Sequence, residues 1–205
     1  DIRDRVIRVL HTLSFVEDPT RCLRAVRFEQ RYHFRIGPAT EKLIKNDVSL
    51  KLLDKLSPSR LFNEFEHICA EETAILCIRR LHELGILQAI HPQLSINPDR
   101  KEMLIRTAKV MAWYRLLYID EEMRPWLVYF LVLCSGLTYA VTLEVFRRLG
   151  IPPALKNEVL GCREKARSLR SSLKRLTATP GFRVSALCAM LRPLPVEFVL
   201  YLMAD

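Results

Sequence analysis

Glycine is scarce in this chain, six in 205 residues, and the sequence holds no Gly-Ser dipeptide, no Asp-x-Asp and no His-Asp pair. Those gaps exclude from these residues a Gly-Ser loop that cradles phosphate, a divalent-metal carboxylate pair of that spacing, and a His-Asp hydrolase centre. Cysteine is present but unpaired: Cys22, Cys69, Cys77, Cys134, Cys162 and Cys188 are scattered, with no histidine at ligand spacing. Neither a zinc site nor a disulfide framework is expected, and a reducing, cytoplasmic setting fits. Long apolar runs are missing too. The most apolar, Trp126 to Cys134, is far short of the roughly twenty residues that span a bilayer, and no signal-peptide pattern is visible. A buried core helix, with no membrane partner, is the expectation there.

What the chain does have is half apolar residues, enough for a substantial core, and a net charge of +9 from 32 Lys and Arg against 23 acids. That balance points to an anionic partner. The punctuation is helical throughout. Pro38, Pro58, Pro98, Pro125 and Pro153 stand where first helical residues would, Ser57, Asn97 and Thr138 are N-cap candidates, and Gly85 and Gly150 are stops. Two short terminal helices are expected after Thr179-Pro180 and Leu194-Pro195. The segment from Tyr32 to Pro38 reads as a turn, and Trp113, Tyr114 and Tyr118 read as core at helical spacing. Asp120-Glu121-Glu122 reads as a surface turn rather than a metal site. The expected fold is all-α, an irregular helical array with almost no strand. Its best internal boundary lies between Pro92 and Pro98, dividing residues 1–92 from 93–205.

The stretch that organises the chain runs from Ser14 to Phe28. Asp18 is a good N-cap with Pro19 at the first helical position, and Leu23 and Val26 follow at helical spacing. Arg21 then projects one turn after Asp18, placing an acceptor-only carboxylate beside a donor-only guanidinium. Adenine and cytosine each offer an amino donor next to a ring-nitrogen acceptor, whereas guanine and uracil present the reverse order. Such a pair therefore suits a reader of adenine and cytosine edges. It also suits a simple i,i+3 ion pair at a capped helix. Two basic stripes accompany it. Arg21, Arg24, Arg27 and Arg31 line a broad face of that helix, and Arg163, Arg167, Arg170 and Lys174 recur at i, i+4, i+7 and i+11 on a later one. Either could track phosphates; Arg24 and Arg27 could instead pair internally with carboxylates such as Glu64.

The run Glu17-Asp18-Pro19-Thr20-Arg21, continued by Leu23-Arg24-Ala25-Val26-Arg27-Phe28, resembles the E-D-x-x-R element and its L-R-A-x-R-F continuation in bacterial tRNA nucleotidyltransferases and their poly(A) polymerase relatives. The segment Asp1 to Leu10 is similar to the connection that precedes this element in that family. Ser57 to Phe65 is similar to its later acidic-Arg-hydrophobic-x-x-Glu helix, with Ser59 where an acidic residue is common. The resemblance is specific over about the first ninety residues and general beyond. It implies the neck and body of a class II CCA-adding type enzyme, and a protein that adds C or A to the tRNA 3′ end and releases pyrophosphate. Asp18 and Arg21 would read the base, Glu17 would orient Arg21, and Arg24 and Arg27 would support the site or meet phosphate. Arg60 and Glu64 would buttress the base-reading helix, and Arg163, Arg167, Arg170 and Lys174 would hold tRNA. In that family the triphosphate and two Mg²⁺ are held by a separate catalytic head, so this chain alone is expected to lack metal and catalytic residues. ATP, and CTP as a further substrate, are the implied nucleotides. The alternatives are a poly(A) polymerase of the same family and a stand-alone helical RNA-binding or adaptor domain.

Overall fold

A proline at the first helical position removes only an N–H that would have no helical partner, so it starts a helix without weakening it. The computed structural model uses this device repeatedly. It describes residues 2–119, 122–178, 181 and 183–205, with the side chains of residues 167 and 177 also outside the description. In order, the elements are β1 (Val6–Ile7), α1 (Ser14–Glu17), α2 (Thr20–Arg31), β2 (Arg35–Ile36), α3 (Pro38–Ser49), a 3-10 turn (Leu52–Lys55), α4 (Pro58–Ala70), α5 (Ala74–Glu83) and α6 (Ile86–Ile90). Then come α7 (Pro98–Arg115), α8 (Pro125–Leu133), α9 (Tyr139–Leu149), α10 (Pro153–Ala178), α11 (Val184–Leu191) and α12 (Val196–Ala204).

The caps behave as their chemistry demands. Ser57 Oγ accepts the Arg60 N–H at 3.4 Å, Asn97 Oδ1 accepts the Arg100 N–H at 2.8 Å, and Thr138 Oγ1 accepts the Val141 N–H at 3.3 Å. Gly150 ends α9 in the left-handed region, φ +64°, and a Cβ there would stand 2.7 Å from the Cβ of Pro58 at the start of α4. Conformation and space both demand glycine at that junction.

The fold is all-α, with one feature that the turn-like pattern of residues 32–38 did not predict. β1 and β2 pair in parallel, Val6 with Arg35 and Ile7 with Ile36, and the Gly37 N–H donates to the Ile7 carbonyl at 3.0 Å. This clasp ties the N-terminal segment to the end of α2. The short helices α1 and α6 were also not expected, and α7 ends at Arg115. Of the three aromatic residues read as core, only Tyr114 is buried; Trp113 and Tyr118 are exposed. The Thr179-Pro180 start lies outside the described residues, and the helix after it begins at Val184.

Every residue of α8 from Trp126 to Leu133 is buried, which makes this helix the centre of the packing. Each such large apolar side chain contributes roughly 1.5–3 kcal/mol by leaving water. A string of edge-on ring contacts, Phe62 to Trp126 at 4.9 Å, Trp126 to Phe130 at 6.2 Å and Phe130 to Phe146 at 5.1 Å, joins α4 through α8 to α9. The expected boundary falls in the loop 91–97, but the apolar core crosses it without a break, from Phe15 to Leu200. Among the described residues no helix is long and apolar enough to cross a membrane.

Candidate functional site

The start of α2 is built by two short turns meeting at Asp18. α1 ends at Glu17, Asp18 adopts an extended conformation, and Pro19 leads into the helix. Asp18 Oδ1 accepts the Thr20 N–H at 3.1 Å and the Thr20 hydroxyl at 2.6 Å, so the carboxylate caps α2 as its sequence position suggests. A third donor comes from α4: Arg60 Nη2 lies 2.8 Å from the same oxygen. Partial burial alone would raise the Asp18 pKa, but the Thr20 bonds and the Arg60 charge outweigh it and hold the carboxyl below its ordinary 3.8. It is an ionised acceptor at neutral pH.

Asp18 and Arg21 share this end of the helix but do not pair. Arg21 Nη1 donates to the Ser14 carbonyl at 3.1 Å and lies 3.6 Å from Glu17 Oε2. Arg21 instead reaches back along α1, to the carbonyl of its first residue and to the Glu17 carboxylate, while the Asp18 oxygen is already occupied by Thr20 and Arg60. Arg60 takes the place expected for Arg21 as the ion partner of Asp18. Glu17, Arg21 and Arg24 are exposed, and Asp18 retains 24% side-chain exposure, so the group is open to solvent.

Further along α2 the arginines change role. Arg27 is only 13% exposed and lies 3.5 Å from Glu64 and 3.9 Å from Glu71; Arg31 lies 3.4 Å from Glu71 and above the Tyr32 ring. Arg27 thus braces α2 against α4, with Glu64 as its partner, the internal pairing that its position allowed. Behind them Arg80 of α5 bridges Glu29 at 2.9 Å and Glu41 at 2.7 Å, while Glu29 also accepts the Ile36 N–H at 2.8 Å. Glu71, Glu29, Glu41 and Arg80 were not foreseen, because periodicity names a helix face without naming what stands opposite. Thr20 had a readable signal: a threonine two residues after an aspartate is the pattern of a local side-chain turn.

The stripe on α10 divides similarly. Arg163 turns inward, donating to Thr142 Oγ1, to the Cys134 carbonyl at 3.2 Å and to the Leu137 carbonyl. It holds the C-terminal end of α8, where a helix presents negative partial charge. Arg170 lies 2.8 Å from Asp205 Oδ2, and Lys174 is exposed. The Arg167 side chain lies outside the described residues. Arg163 and Arg170 border a cleft of about 670 Å³ that also presents Arg100, Arg106, Asp99 and Glu102, a wall of mixed charge. No group of three or more His, Cys, Asp or Glu side chains among the described residues is arranged to hold a metal ion. Asp120 and Glu121 lie outside the described residues.

Residues 33–97 match the family described as "Probable RNA and SrmB-binding site of polymerase A", a stretch that includes Arg60, Glu64 and Arg80 but begins after Asp18. The whole chain is 40% identical to an A-adding tRNA nucleotidyltransferase of Geobacter sulfurreducens and 32% identical to one of Aquifex aeolicus, in each case over all 205 residues. It covers 23% and 24% of those proteins, so it spans about a quarter of the length of the curated relatives it matches. Among solved structures, the Thermotoga maritima CCA-adding enzyme complexed with tRNA superposes with a TM-score of 0.83 at 30% identity, over all of this chain and 48% of that one. A tRNA-processing enzyme complex gives 0.84 at 31% identity, over all of this chain and 55% of that one. The chain is thus similar along its whole length to a part of A-adding tRNA nucleotidyltransferases and of CCA-adding enzymes, and in residues 33–97 to the RNA-binding region of polymerase A.

Proposed function

We propose that this chain is the base-reading and RNA-binding portion of an enzyme that adds A, and C where CTP is accepted, to the 3′ end of tRNA. The observation that carries the reading is the open, ionised Asp18 at the start of α2, one turn from Arg21, in a chain similar from end to end to A-adding enzymes. Asp18 accepts from the exocyclic amino group of adenine or cytosine, and Arg21 donates to the neighbouring ring nitrogen. Arg21 reaches the base by giving up one part-buried hydrogen bond, to the Ser14 carbonyl, and one long, exposed ion pair that water already weakens. Guanine and uracil would leave mismatched groups, each roughly 1–3 kcal/mol when buried. Glu17 keeps Arg21 near the site, Arg60 steadies Asp18 from α4, and Arg24 supplies an exposed charge towards phosphate. Arg170, Lys174 and Arg167 on α10 are the proposed tRNA contacts. Mg²⁺ and phosphoryl transfer are not assigned to these residues; the family places that chemistry on a catalytic head.

The test uses the intact enzyme with tRNA ending before, within or after CCA, with unstructured RNA, and with each nucleoside triphosphate in turn. The expected result is A addition to tRNA ending in CC, and Asp18→Ala losing discrimination among nucleotides more than it loses primer binding. Unchanged base selectivity in Asp18→Ala overturns the reading. Long tails on unstructured RNA would instead make the protein a poly(A) polymerase, and binding of RNA without any addition would make it an adaptor.

A further inference from the structure

The two carboxylate oxygens of Asp18 are treated differently. Oδ1 accepts three hydrogen bonds, from the Thr20 hydroxyl at 2.6 Å, the Thr20 N–H at 3.1 Å and Arg60 Nη2 at 2.8 Å. Among the described residues no hydrogen bond reaches Oδ2. The two anchors also differ in stiffness. Arg60 arrives on a long, half-exposed side chain from α4. Thr20 is 5% exposed, sits two residues from Asp18 in the first turn of α2, and has a β-branched side chain with few rotamers open to it. Its hydroxyl therefore fixes the plane of the carboxylate. Flipping that plane by a half turn exchanges equivalent oxygens, so what Thr20 sets is the direction of the lone pairs that remain.

We infer that Thr20 is a positioning residue for base selection: its hydroxyl and N–H anchor one Asp18 oxygen, so that a single acceptor oxygen faces the amino group of an incoming adenine or cytosine. The inference rests on the base-reading role proposed above. A template that can swing accepts a donor from several directions, and it can pivot away from a mismatched carbonyl. A template held on one side cannot, so guanine and uracil meet a fixed negative oxygen.

Thr20→Val keeps the shape and removes the hydroxyl; Thr20→Ser restores it without the methyl group. Both are compared with Asp18→Ala in the full-length enzyme, by single-nucleotide addition to tRNA ending in CC, with ATP, CTP, GTP and UTP measured separately for kcat and KM. Loss of one hydrogen bond to a charged acceptor should lower ATP-over-GTP discrimination about tenfold in Thr20→Val. Thr20→Ser should match the parent, and tRNA affinity should be unchanged in both. Discrimination kept by Thr20→Val but lost by Asp18→Ala would reduce Thr20 to a helix cap and leave base reading intact. Discrimination kept by all variants would sink base reading and this inference with it. Equal losses in Thr20→Val and Thr20→Ser would point to packing of the methyl group and overturn the inference. If Thr20→Val does not fold, by circular dichroism, Thr20→Ala is read against Thr20→Ser in the same way.

Discussion

α2 and α10 carry the same basic residue at similar helical spacing and use it in opposite order. On α2 the N-terminal arginines, Arg21 and Arg24, face water, and the chain buries Arg27 further along against Glu64 and Glu71. On α10 the inward-turned arginine comes first, Arg163 on the carbonyls of Cys134 and Leu137, and the exposed cations follow. The buried partners differ in kind as well: carboxylates for α2, backbone carbonyls for α10. Arg100, on the carbonyls of Ser135, Gln93 and Ser95, and Arg148, on those of Leu53 and Leu56, belong with Arg163. A positive formal charge thus overstates the charge a polyanion would meet, because several guanidinium groups hold loops and helix ends inside the protein.

Removing the inward-turned member of each stripe tests the contrast most severely. Arg163→Ala removes the guanidinium donor from the Leu137 carbonyl and the Thr142 hydroxyl, leaves the Cys134 carbonyl only the Leu137 N–H, and should cost about 3 kcal/mol, read as a lower denaturant midpoint. Its folded fraction should bind tRNA with an unchanged salt slope. Arg27→Ala strands the Glu64 carboxylate and leaves Glu71 to Arg31 alone, and should cost about 2 kcal/mol in the same measurement.

A smaller effect, and one that depends on pH, is expected where α8, α10 and α12 meet. Glu197 is buried, which alone would raise its pKa, but Arg124, 2.7 Å away, and the Arg124 N–H hold it below the ordinary 4.5. A carboxyl with a lowered folded value contributes fully above its unfolded value and loses that contribution as pH falls through the folded one. Glu197→Gln should therefore lose about 1.5 kcal/mol at neutral pH, and the difference from the parent should close in acid unfolding curves below pH 4.5. The exposed cations should matter least to folding. Arg24→Ala and Arg170→Ala should each change stability by less than about 0.5 kcal/mol, and each should lower the salt slope of tRNA binding by about one if its guanidinium meets a phosphate. A stability loss in Arg24→Ala as large as that in Arg27→Ala would erase the distinction between the two ends of α2.

Most of the fold was legible because its signals are local. Pro38, Pro58, Pro98 and Pro125 open helices at the first position, and Gly150 closes one, for reasons that involve a single residue's backbone. Two-residue strands carry no alternation to detect, so the pairing of Val6 with Arg35 was invisible, and so were the single-turn helices. The candidate site was legible to the same depth. Asp18 caps α2 as its position suggests, yet its ion partner comes from Arg60, 42 residues away in sequence. The inward turn of Arg163 depends on where α8 ends, which a stripe of cations on α10 does not encode.

The unbroken core across residues 91–97 has a consequence for anyone who would cut the protein there. A split at that loop parts α4 from α8 and separates Phe62 from Trp126, baring a wide apolar face on each piece. Produced apart, the two halves should aggregate; produced together, they should recombine through that face, which makes the loop a natural seam for fragment complementation.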